Sequence, residues 1–140
     1  MKRALCAFGV CAVASLSMAS TAPASTTCSG TLVAATIAGT VVVPDNGACV
    51  LVGSTVNGSV TVKKNAYFEA NASTINGGIT SLKSTTVYVH DGSQSRSINA
   101  FFTQQVFAFD STITSGSLNV IGSPITDGAV NACGMNVQHG

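Results

Sequence analysis

The stretch Ser54-Thr55-Val56-Asn57-Gly58-Ser59-Val60-Thr61-Val62 returns 19 residues later as Ser73-Thr74-Ile75-Asn76-Gly77-Gly78-Ile79-Thr80-Ser81. One interval earlier stands Ala35-Thr36-Ile37-Ala38-Gly39-Thr40-Val41-Val42-Val43. Two intervals after Ser73-Thr74-Ile75 comes Ser111-Thr112-Ile113; the copy between them centres on Gln94, and Ile98 recovers its second apolar slot. Two further columns keep the same interval. One is Cys49, Phe68, Val87, Val106 and Ile125; the other is Leu51, Ala70, Val89 and Ala108, ending at Asp127. A glycine column, Gly39, Gly58 and Gly77, lapses at Arg96 and Ser115 and returns at Gly134. Such agreement identifies an internal repeat, and a repeat of this length buries its apolar face only against its neighbours.

Within each copy, apolar residues alternate with Thr, Ser or Asn, as in Val60/Val62, Cys49/Leu51 and Val87/Val89. Period two is the spacing of a strand, and no stretch of the repeat shows helical spacing. Each unit predicts three short strands: one with Ile37 or Val56, one with Val41 or Val60, one with Cys49 or Phe68. Stacked about 4.8 Å apart, the units close a continuous core, with backbone hydrogen bonds running along the axis. The glycines fall at the corner between the first two strands, where left-handed or tight backbone is expected. The expected fold is all-β: a single-stranded parallel β-helix solenoid of about 19 residues per coil and roughly five to six coils.

The unit Ser/Thr-x-Asn-Gly-x-Val-x-Val resembles those of bacterial secreted and envelope β-helix repeat proteins, and the likeness covers nearly all of the chain after its first segment. In coil length it is similar to the bactofilin class of polymer-forming β-helices. The resemblance implies a right-handed helix. It carries no catalytic motif onto any residue here.

Composition narrows the partners. Of 140 residues, 46% are hydrophobic and 8% charged, and the formal net charge is +1. No basic excess exists to neutralise a phosphate backbone, so nucleic acid is not an expected partner. The start reads as an address. Lys2 and Arg3 precede an uncharged Ala4–Ala19 run, and Ala22-Pro23-Ala24 offers the small residues of a cleavage site. The run is too short and too rich in Ser and Ala to span a bilayer stably. Residues 1–24 are therefore expected to be a signal peptide and 25–140 the β-helix domain of a protein secreted, periplasmic or held at the cell surface. No membrane span is expected after signal removal.

Three cysteines follow that segment. In an oxidising compartment a Cys28–Cys49 bridge is expected to staple the first coil to its lead-in; alternatively, Cys49 shares the column of Phe68 and is simply core. Cys133 lies more than four coils from Cys49, about 20 Å along the axis, so it is free or pairs between molecules. Asn131-Ala132-Cys133-Gly134 restarts the repeat, and Val137 fills its next apolar slot. No cap follows, which reads either as a C-terminal truncation or as an end covered by another copy.

Side chains that do chemistry are scarce. Asp91 and Asp110 stand 19 apart, beside His90, and are the candidate metal ligands of a Ca²⁺-dependent polysaccharide lyase. The simpler reading is a pair of solvated turn carboxylates, since no third acid shares the column. No cofactor and no catalytic constellation is expected. If Val87, Val89, Val106 and Ala108 point inward, Tyr88, His90, Phe107 and Phe109 point outward. The interval then sets Tyr88 over Phe107 and His90 over Phe109, an exposed aromatic patch suited to sugar rings or a protein partner, or one that merely stiffens the sheet. A second outward row is expected to run Thr36, Thr55/Asn57, Thr74/Asn76, Ser93/Ser95 and Thr112/Thr114. It resembles the Thr ladder of an ice-binding solenoid only weakly. The leading expectation is a non-catalytic secreted protein with a structural, adhesive or self-assembling role. The alternatives are carbohydrate binding by the aromatic patch and, last, the lyase. Expected partners are other copies of the chain or a surface polysaccharide.

Overall fold

The computed structural model describes residues 24–122 and 130–137. Residues 1–23 of the expected signal peptide, Ile125 and Asp127 lie outside that range. Every strand described is parallel to its neighbours, and no helix occurs among the described residues. The strands form three sheets of six. The first stacks Thr26–Thr27, Val41–Val43, Val60–Val62, Ile79–Leu82, Ile98–Phe101 and Leu118–Ile121. The second stacks Gly30–Val33, Ala48–Val52, Tyr67–Asn71, Thr86–His90, Gln105–Phe109 and Val130–Cys133. The third holds two-residue strands, Thr36–Ile37, Thr55–Val56, Thr74–Ile75, Gln94–Ser95, Thr112–Ile113 and Asn136–Val137. The chain is a β-solenoid of about five turns.

Alternation decides what is inside. Val41, Val60, Ile79 and Ile98 stack on one wall, Cys49, Phe68, Val87 and Val106 on the second, and Ile37, Val56 and Ile75 on the third, where Ile113 follows beyond Ser95. All are buried, most of them fully. Val137 packs partly buried against the same core, above Ile113.

Not every inward position is apolar. Ser54, Ser73 and Ser93 form a buried column beside the third sheet. The hydroxyl of Ser73 accepts the backbone N–H of Ser54 at 3.1 Å and donates to the carbonyl of Asn71 at 2.8 Å. Ser93 treats Ser73 and His90 alike, at 3.1 and 2.7 Å. Small hydroxyls here satisfy corner amides that the sheets leave over. Ser81 sits inward above Val62 and is tolerated because its hydroxyl meets those of Ser84 and Thr103 at 2.5 and 2.7 Å.

The 19-residue interval is not kept throughout. Ser95, not Gln94, takes the inward place after Ile75, an interval of 20, and Ile113 follows after 18. Gln94 is exposed, while Ser93 and Ser95 are buried, so the expected outward Ser93/Ser95 pair is corrected. Gly92, in a left-handed turn after Asp91, accommodates the extra residue outside the core. In the last turn, Val106 faces Val130 and Ala108 faces Ala132, each 24 residues on. The expected partners Ile125 and Asp127 are thereby displaced. Gly134 consequently belongs to another corner, since the amide of Asp110 donates to the carbonyl of Cys133, the neighbour of Gly134.

Two corners use different physics. Gly58 is not left-handed; a Cβ there would lie 2.6 Å from the backbone of Gly39 in the coil below. Glycine is required at that corner by close approach of stacked backbones. The corner after the second sheet is left-handed: Ala34, Gly53, Ala72, Asp91, Asp110 and Gly134 all have positive φ.

Cys28 and Cys49 form the expected disulfide, with Cα atoms 5.5 Å apart, and Cys49 is also core. Their separation of 21 residues corresponds to about 3 kcal/mol of loop-closure entropy. Replacing both by Ser should lower the unfolding free energy in urea by about 2–4 kcal/mol, with hydrogen exchange rising first in Thr26–Val33. An unchanged midpoint would show that the first turn stands without the staple.

Candidate functional site

The outward positions of the second sheet bring aromatic, acidic, hydroxyl and amide side chains onto one face. In Tyr67–Asn71, Thr86–His90 and Gln105–Phe109 the buried residues are Phe68/Ala70, Val87/Val89 and Val106/Ala108. Alternation turns Tyr67, Glu69, Thr86, Tyr88, His90, Gln105, Phe107 and Phe109 to the other face. Tyr67 aligns with Thr86 and Gln105, and Glu69 with Tyr88 and Phe107.

The four residues expected as an aromatic patch are brought together, but not as simple columns. Tyr88 meets Phe107 edge to face with centroids 5.8 Å apart, and Phe109 likewise at 5.9 Å. Phe107 and Phe109 stack at 6.0 Å. The His90 ring lies along Tyr88, at 4.2 Å and 21°, instead of over Phe109. All four are half-buried, largely by one another.

The reason is a polar clip. Nε2 of His90 is 3.0 Å from Oε1 of Glu69, and Nδ1 is 2.9 Å from Oδ2 of Asp91. Tyr67 donates its hydroxyl to the other oxygen of Glu69 at 2.5 Å. The hydrogen bond from Tyr67, supported by that from His90, holds the Glu69 carboxyl below its ordinary range. Burial, with the hydrogen bond to Glu69 second, pushes the Tyr67 phenol up to about 12. Glu69 is thus a fixed negative charge, and Tyr67 a fixed donor, over the neutral range.

This network limits what the site can do. Both ring nitrogens of His90 are already engaged, so none is free to move a proton on a substrate. Asp91 and Asp110 occupy successive left-handed corners. The carboxylate of Asp91 turns to His90, whereas Asp110 is placed against Gly134, where an added Cβ would collide with its Oδ1. Among the described residues no group of three His, Cys, Asp or Glu side chains could hold a metal ion.

Tyr67, Thr86, Tyr88, Gln105, Phe107 and Phe109 enclose an open groove of about 320 Å³, at the low end of the range for small-ligand sites. Its lining joins aromatic rings to a phenol, a hydroxyl and a carboxamide. Sequence reasoning missed Tyr67, Glu69, Thr86 and Gln105. The signal was present, because Tyr67 and Gln105 stand one interval either side of Thr86, and Glu69 one interval before Tyr88. On the same face, Cys133 is an exposed free thiol beside Phe109.

Comparison with protein-family models, curated proteins and solved structures returns no match for this chain. The surface therefore stands on its own geometry. No helix among the described residues is long and apolar enough to cross a membrane. The disulfide is compatible with an extracellular or periplasmic location.

The chain has two tyrosines and no tryptophan, so its phenols can be followed by absorbance. One should titrate near 12 and move to lower pH in Glu69→Gln, which removes the ionised acceptor. The stabilising contribution of Glu69 is fully present above the ordinary carboxylate pKa and is lost as pH falls through its lowered value. Acid unfolding of Glu69→Gln should accordingly be shallower than that of the parent chain below about pH 5. Identical titration curves for the two proteins would dissolve the clip.

Proposed function

We propose that the chain is an exported, non-catalytic β-solenoid that adheres to carbohydrate through the outer face of its second sheet. The observation that carries this reading is the aromatic groove, where the rings of Tyr88, Phe107 and Phe109 stand beside Tyr67, Thr86 and Gln105. Ring faces suit the apolar face of a pyranose, and the flanking hydroxyl and amide groups suit its hydroxyls. Support for a binding role over a catalytic one comes from His90, whose nitrogens are both engaged with carboxylates. Rigid β-strands hold the rings, so little ordering cost attends binding.

A glycan array probed with the parent protein and with Phe107→Ala and Phe109→Ala tests this reading. A positive glycan should lose at least tenfold in affinity in each variant, as expected when a central aromatic contact worth more than about 1.4 kcal/mol is removed. Retained binding in both variants sinks the assignment. If a second copy covers the face instead, the parent protein is dimeric by light scattering and Phe107→Ala is monomeric.

A further inference from the structure

The corner that leads into the second sheet forms a long edge whose chemistry changes along the axis. Its turns carry Lys63 and Lys64, then Lys83, then Phe102, then Gly122. Lys83, Phe102 and Gly122 occupy equivalent left-handed positions, with φ of 55°, 53° and 68°. Immediately before them, Leu82, Phe101 and Ile121 stack in register as outward residues of the first sheet.

Two observations make this edge unusual. Three of the four cationic side chains among the described residues are here, and all three are exposed. Of the four most exposed large hydrophobics among the described residues, three are also here: Leu82 at 53%, Phe102 at 55% and Ile121 at 54%. A hollow of about 430 Å³ joins the two, walled by Val62, Leu82 and the lysines.

Phe102 is the informative residue. A phenylalanine at positive φ is strained, and its exposed ring gains little from the core. The equivalent place one turn earlier holds Lys83 at nearly the same φ, so the corner itself makes no demand for an aromatic; the Phe102 ring lies over Gly122, where an added Cβ would stand 2.6 Å from it. Strain and exposure together, at one bulky residue, point to a role outside folding.

We propose that this edge docks the protein on an anionic lipid bilayer, with Lys63, Lys64 and Lys83 at the headgroups and Leu82, Phe102 and Ile121 entering the interface. Neither signal suffices alone; a short basic cluster and a few apolar side chains hold a protein on a membrane when combined. The edge needs about three coil steps, or roughly 15 Å, to present both. Charge placement supplies the orientation. Asp91 and Asp110 lie at the opposite end of the second-sheet strands, so the acidic corner points away from an anionic surface. Among the described residues Asp45 is the one acid on the edge, and it accepts the backbone amide of Lys64 at 3.1 Å. The edge shares no lining residue with the aromatic groove, so this site stands or falls without the proposed sugar site.

Because the chain lacks tryptophan, Phe102→Trp creates a single indole reporter at the point of contact. Added to vesicles of mixed phosphatidylglycerol and phosphatidylcholine, its emission should shift to shorter wavelength. A matching Val33→Trp reporter, on the second sheet, should not shift. Any apolar segment elsewhere in the chain is common to both, so the contrast reads the edge itself. Changing the three lysines to Gln should weaken vesicle partitioning about a hundredfold, at about fivefold per lysine, and added salt should reverse the shift. Phe102→Gly relaxes the backbone and should fold at least as stably as the parent while losing partitioning. The proposal is overturned by an unshifted Phe102→Trp spectrum, by an equal shift in Val33→Trp, by an equal response to pure phosphatidylcholine, or by partitioning that survives the three Gln substitutions.

Discussion

Everything in this molecule depends on in-register parallel stacking. Each coil exchanges backbone hydrogen bonds with the coils on either side, so a residue's surroundings are set by the residues above and below it in the same column. A slip of one position would turn Phe68 and Val87 outward and Tyr88 inward, reversing core and surface together. That cost explains why length variation is confined to corners. At the third sheet one coil runs long by one residue and the next short by one, while Ile79 to Ile98 and Val87 to Val106 keep the interval of 19; the first sheet takes its own extra residue between Ile98 and Leu118.

Corners must then reconcile a sharp change of direction with the same axial spacing. The chain does so in two ways. At Gly58 stacked backbones approach too closely for any Cβ, and only glycine fits. At the corner after the second sheet the backbone is left-handed, and the position holds Ala, Gly or Asp. Aspartate tolerates that conformation well. The geometry of the corner therefore accounts for Asp91 and Asp110 without a metal, and Asp91 gains a second use by bracing His90. A structural requirement thus places an acid beside the aromatic face.

The fold was legible because a constant interval and period-two alternation both report packing, and packing dominates a narrow core. Val60 and Ile79, or Phe68 and Val87, could be paired from their numbers alone. The site was legible only in part. Outward direction follows from alternation, so Tyr88, His90, Phe107 and Phe109 were found together. Where an outward ring leans depends on its hydrogen bonds, and His90 leans to Tyr88 because Glu69 and Asp91 hold it there. The buried serines were misassigned for a related reason. Ser93 and Ser95 look like surface residues, yet Ser93 is the small internal acceptor that a corner amide needs, and Ser95 is carried inward by the phase shift that the extra residue at Gly92 introduces. The last turn failed because five added residues between the Val106 and Val130 columns break the interval that had carried the reading.

The functional surfaces inherit the same constraint, since the aromatic groove exists only if residues one interval apart are neighbours. Cysteine cross-linking beside the groove measures this directly. In a Cys133→Ser background, Thr86→Cys with Gln105→Cys should form an intramolecular disulfide, because the two positions face each other on adjacent strands. Tyr67→Cys with Gln105→Cys should not, because they stand two coils, or about 10 Å, apart. Cross-linking of the distant pair, or none of the adjacent pair under oxidation, would contradict the register and the groove built on it.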